Sequence, residues 1–85
     1  MSLNKPIRYP CPCCGYKTVE DPGRYDLCEV CWWEDDEQQS DNPDLRGGAN
    51  AESLNEARQN FKAYGAISLS SKAYVRKPHP DEYPD

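Results

Sequence analysis

A small metal-stabilised α+β fold, with a four-cysteine β-hairpin unit and one amphipathic helix, is the fold class this sequence predicts. Three observations lead there. The 85 residues are only 36% hydrophobic with a mean hydropathy of −1.02, enough for one domain with a marginal apolar core. Four of five cysteines form two C-x2-C pairs, Cys11/Cys14 and Cys28/Cys31, with 13 residues between the pairs. That spacing matches a tetrahedral site of four thiolates. Finally, Ser53-Leu54-Asn55-Glu56 opens a helix-period pattern with a capping box. The expected organisation is a single zinc-binding domain over 1–77 and a surface tail over 78–85. Within the domain, a zinc unit spans 7–33, an acidic connector 34–50, a helix about 53–65 and a C-terminal segment 66–77.

In the zinc unit, Tyr16–Val19 and Arg24–Leu27 have strand composition and flank Glu20-Asp21-Pro22-Gly23. Pro22 presets the first turn position and Gly23 suits a positive φ at the second, so the two strands are expected to pair as a hairpin that returns Cys14 and Cys28 to one end. Within Cys11-Pro12-Cys13-Cys14-Gly15, the two-residue gap lets one turn present both sulfurs, Pro12 stiffens it and Gly15 frees N–H groups to serve sulfur. Cys11, Cys14, Cys28 and Cys31 are therefore the expected ligands of one structural zinc, and a four-thiolate site also accepts iron. Cys13 is left over as a free thiol.

Leu54, Ala57, Phe61 and Tyr64 fall on one helical stripe and Gly65 supplies the stop. The stripe is expected to pack on the zinc unit and on Trp32 or Trp33. The run Ile67–Val75 is ambiguous between a strand and a helical turn from Ser70 or Ser71. The ending, with three prolines and His79 between two of them, reads as exposed tail.

Net charge is −5. Residues 1–31 and 51–85 are each balanced, so the excess lies in 32–50, where Glu34, Asp35, Asp36, Glu37, Asp41 and Asp44 face Arg46 alone. Four thiolates on a divalent ion would add a formal charge of about −2. The absence of an apolar leader near the N-terminus, of any membrane-length run and of an even cysteine count leads to the expectation of a reducing cytoplasm, with no membrane association.

Three separated motifs, Tyr9–Tyr16, Cys28–Asp36 and Gly47–Arg58, together resemble the bacterial cysteine-rich CPCC family. The resemblance covers roughly residues 7–77. It implies zinc binding and carries no enzymatic activity with it. The first cysteine pair resembles zinc-ribbon, rubredoxin-like knuckles. The second departs from them, because Trp32 stands where a knuckle has glycine and a bulky residue disfavours a left-handed turn. A helical turn through Trp32-Trp33-Glu34, as in treble-clef fingers, is the alternative.

No catalytic constellation is present, so a non-enzymatic role is expected. Trp32, Trp33, Glu34, Asp35, Asp36 and Glu37 form the candidate partner face, an indole anchor ringed by carboxylates. The expected function is a protein-protein interaction module for a basic partner, in its sharper form an immunity- or antitoxin-type inhibitor. A nucleic-acid-binding zinc ribbon is disfavoured by scattered bases, Lys72 with Arg76-Lys77 being the one basic group. A thiol-based redox sensor at Cys13 is the other alternative.

Overall fold

The computed structural model describes residues 7–85, so the expected domain start at residue 1 and the reading of the first six residues lie outside the described residues. Two short antiparallel hairpins, each wrapped around one cysteine pair, build the N-terminal half. β1 (Tyr9–Pro10) pairs with β2 (Lys17–Val19), and β3 (Arg24–Leu27) pairs with β4 (Glu34–Asp36). Tyr9 lies opposite Val19 and Arg24 opposite Asp36, each ladder carrying an irregularity.

This corrects the expected pairing. The turn between β2 and β3 forms as read, with Arg24 N–H donating to the Asp21 carbonyl (3.2 Å) and Gly23 at φ +77. The strands it joins do not pair with each other. The Asp26 side chain, from β3, folds back on the turn and accepts the N–H groups of Glu20 (3.0 Å) and Asp21 (2.9 Å). Each strand instead returns across its own cysteine turn. The treble-clef alternative is corrected too. Trp32 adopts φ +79, and the chain leaves it in strand β4 instead of a helical turn.

The acidic connector is folded structure. After β4, Asp36 caps the short helix α1 (Glu37–Asp41), its side chain accepting from the Gln38 N–H. The loop that follows wraps round Gln39, which is fully buried. The Gln39 amide donates to the carbonyls of Leu45, Asn50 and Glu52 at 3.0–3.1 Å. Its oxygen accepts from the Asn50 backbone (3.1 Å) and side chain (2.9 Å). Asn50 in turn bonds both the N–H (2.9 Å) and the carbonyl (2.8 Å) of Glu34, standing beside β4 as a further strand residue would. A Cβ at Gly48 would lie 2.6 Å from Asp36 Oδ2 and 2.7 Å from Gln39 Cδ, so only glycine fits there.

The main helix α2 (Leu54–Tyr64) has both capping-box bonds and ends at Gly65, φ +81. Its Leu54 and Ala57 enter the core with Val19, Val30, Trp33, Ile67 and the cysteines, while Phe61 is partly buried. Tyr64, the last residue of the stripe, stays outside, 39% exposed. Arg58 donates from Nε to the Pro12 carbonyl (2.9 Å), tying the helix to the first cysteine turn.

Beyond α2 the chain runs back along the second turn. Ile67 N–H donates to the Cys31 carbonyl (2.9 Å) and Arg76 N–H to that of Glu29 (3.1 Å). Between them the ambiguous run resolves as a 3-10 turn, Ser70–Ala73.

The expected tail over 78–85 docks. Glu82, in a 3-10 turn over Pro80–Glu82, is 2% exposed and takes two parallel bonds from the Arg76 guanidinium, both 2.8 Å. Tyr83 sets its ring edge-on to Tyr16, centroids 5.2 Å apart. A carboxylate buried against an Arg needs tertiary partners, which composition alone does not reveal.

Candidate metal centre

The two cysteine turns are built alike. In the first, Cys11 N–H donates to the Tyr16 carbonyl and Gly15 N–H to the Cys11 carbonyl, both 2.8 Å. In the second, Cys28 N–H donates to the Trp33 carbonyl (2.8 Å) and Trp32 N–H to the Cys28 carbonyl (2.6 Å). Both turns place a left-handed residue directly after the second cysteine, Gly15 at φ +84 and Trp32 at φ +79. The Gly15 N–H itself closes the first turn.

Facing each other, the turns bring Cys11, Cys14, Cys28 and Cys31 together with all four sulfurs within 4.8 Å of one another. Cys11 and Cys31 sulfurs are 3.6 Å apart, and those of Cys14 and Cys28 3.7 Å. An ion about 2.3 Å from each of four sulfurs needs sulfur-sulfur edges of about 3.8 Å, so the cluster has the dimensions of a tetrahedral thiolate site. All five cysteines are free thiols. Cys11, Cys28 and Cys31 are buried and Cys14 is half-buried. Cys13, nearly buried at 9% exposure, is not among the four.

The electrostatics explain why such a cluster suits a cation. The hydrogen bond with Cys14 pushes the Cys11 thiol far up, and that with Cys11 does the same to Cys31. Cys14, which Cys11 alone would lower, is driven up by Cys28 and Cys31. Cys28 is held far down, because it accepts from Cys11, Cys14, Cys31 and the Thr18 hydroxyl. Four sulfurs this close cannot all carry negative charge unaided, and a divalent ion supplies the compensation. Thr18 Oγ1 donates to Cys28 Sγ at 3.0 Å, a sulfur partner missed at the sequence level. Its signal was slight, a hydroxyl in the strand that leaves the first turn.

The six residues of the expected partner face do not share one surface. Trp33 is fully buried, its indole N–H without a partner among the described residues. Asp35 accepts the Gly23 N–H (2.8 Å) and faces the Ser40 hydroxyl (3.4 Å). Asp36 accepts from Gln38 and Ala49, each at 2.9 Å. Both carboxylates are thus buried acceptors of backbone N–H groups. Trp32 is half-buried and stacks on Tyr74, centroids 5.5 Å apart and planes 25° off parallel. Glu34 is half-buried and Glu37 exposed. Only Trp32, Glu34 and Glu37 therefore remain accessible to a partner. Among the described residues, no helix is long and apolar enough to cross a membrane.

A comparison with curated proteins gives no match. The model of one protein family, described as Cysteine-rich CPCC, matches residues 9–82, a span that takes in both cysteine turns, the connector, α2 and the docked C-terminal turn. On that match the chain belongs to the cysteine-rich CPCC family.

Proposed function

We propose that this is a structural-zinc protein that acts as a protein-protein interaction module. Zinc is the preferred ion because four thiolates suit it and close its coordination shell, which leaves a folding role in place of Lewis-acid chemistry. Iron is the substitute the same donors would accept. The role is non-enzymatic, and its setting is a reducing cytoplasm where the thiols persist.

One observation carries the interaction reading. Trp32 holds a backbone conformation that disfavours any side chain but glycine's, yet it presents a half-buried indole at the surface. Strain of that kind persists at functional positions when the surroundings over-determine it, and tryptophan is the residue most enriched in binding hot spots. The net charge of −5, made more negative by the thiolate site, favours a basic partner. The sharper form of the proposal is an immunity- or antitoxin-type inhibitor of such a protein.

The test is capture from the native lysate on zinc-loaded protein, in parallel with W32A. A basic protein recovered by wild type and lost from W32A supports the reading. Recovery of no basic protein, or of a basic partner that W32A retains equally, overturns it. Metal analysis of the same preparation should give one zinc per chain.

A further inference from the structure

Residues 61–78 carry Lys62, Lys72, Arg76 and Lys77 and no acid at all, in a chain whose net charge is −5. The fold places this stretch along an open apolar groove of about 330 Å³ between α2 and the returning C-terminal segment. Tyr16, Phe61, Tyr64 and Val75 line it, together with Lys72 and Lys77. Tyr16 and Phe61 meet edge-on, centroids 6.5 Å apart. Of the cations on the groove, Arg76 is neutralised by Glu29 and Glu82. Lys72 and Lys77 are exposed and make no ion pair among the described residues.

We infer that this groove binds a peptide segment of a partner protein in which apolar side chains are flanked by carboxylates. The apolar lining would take the side chains, where burial of an aromatic or aliphatic anchor supplies most of the binding energy. Lys72 and Lys77 would pair with the flanking acids, selecting an acidic segment over a neutral one and speeding its arrival. The complementarity is local and opposite to the sign of the whole molecule. In a second copy of this chain Asp35 and Asp36 are buried against backbone N–H groups and Glu37, Asp41 and Asp44 are exposed, so a second copy is the competing occupant the test must separate. The groove is separate from the Trp32 anchor, so either can fail while the other stands.

The experiment is a fluorescence-anisotropy titration of zinc-loaded protein with a short labelled peptide, a leucine-phenylalanine pair flanked by glutamates. Binding should weaken about tenfold or more, some 1.4 kcal/mol, when glutamines replace the glutamates. A similar loss is expected when alanines replace the apolar pair, in the double variant K72E/K77E, and in Y64A. W32A should bind this peptide as wild type does. Lys72, Lys77 and Tyr64 are exposed, and unchanged metal content and circular dichroism verify that the variants fold. No binding to wild type, or equal binding by the glutamine peptide, overturns the inference. Equal affinity for a short oligothymidylate would reassign the lysines to phosphate, and sedimentation showing self-association lost in K72E/K77E would reassign the groove to a second copy. Either result overturns it as well.

Discussion

The first cysteine turn has glycine at its left-handed position and the second has tryptophan, yet Gly15 at φ +84 and Trp32 at φ +79 occupy the same conformation. The hydrogen bonds that close the two turns also correspond one to one. At Gly15 the conformation costs nothing, whereas at Trp32 it costs about 1–2 kcal/mol in backbone strain. What differs is the support. A Cβ at Gly15 would meet nothing within 4 Å, while Trp32 stacks on Tyr74. The chain after Cys31 is also held, by Ile67 on the Cys31 carbonyl and by Asn50 on both backbone groups of Glu34. The first turn is right by local preference and the second by tertiary enforcement. A four-ligand site makes that enforcement possible, since both turns must close for one ion to bind.

The strongest way to break the comparison is to remove one of the four thiols through which a single ion would couple the turns. Cys28→Ser and Cys11→Ser should each lose the metal and unfold both hairpins, because structural thiolate sites of this kind supply on the order of 10 kcal/mol at neutral pH. Cys13→Ser should keep full metal content. Metal analysis and circular dichroism of the three purified variants read this out, and loss of metal from Cys13→Ser would show that the four clustered sulfurs are not the ligand set.

The second test cuts the link between the halves. Glu82 joins Arg8, which precedes β1 (3.7 Å), to Arg76, which in turn holds Glu29 of the second turn. The Arg76 guanidinium holds the Glu82 carboxyl down to about 2 from its ordinary 4.5. A group lowered on folding contributes fully above its unfolded value, and the contribution disappears as pH falls from about 4.5 towards about 2. Glu82→Gln should therefore lower stability by roughly 2–3 kcal/mol at neutral pH. The gap to wild type should stay constant down to about pH 4.5 and then narrow. Denaturant midpoints across pH give the answer, and a gap that widens in acid would refute the pairing.

The mildest test exchanges the two left-handed residues. Gly15→Ala should cost about 1–2 kcal/mol from backbone strain alone, since no neighbour obstructs its methyl group. Trp32→Gly relieves strain of that size and forfeits a stacking contact of about 0.5–1.5 kcal/mol, so it should stay within about 1 kcal/mol of wild type. Thermal melts of the zinc-loaded proteins decide. A large loss in Trp32→Gly would mean that the indole, more than the ion, closes the second turn.

By itself the sequence determined what is local or written in spacing. The pairs Cys11/Cys14 and Cys28/Cys31, the Pro22-Gly23 turn, the Ser53-Glu56 capping box and the stop at Gly65 each need only a few consecutive residues. Physical chemistry acts on them at short range, and the structure has the two turns, the cap and the stop and brings the four thiols together. Tertiary structure alone decided which strands pair, where the acids point and what the C-terminus does. β2 pairs with β1 and β3 with β4, while Asp26 serves the N–H groups of the turn between them. Asp35 and Asp36 turn inward because Gly23 and Ala49 arrive with unpaired donors. Glu82 is buried because Arg76 comes to meet it. The partners lie five or six residues away for Asp26 and Glu82 and twelve or thirteen away for Asp35 and Asp36, and the preference of a carboxylate for any available donor carries no record of which donor the fold will bring.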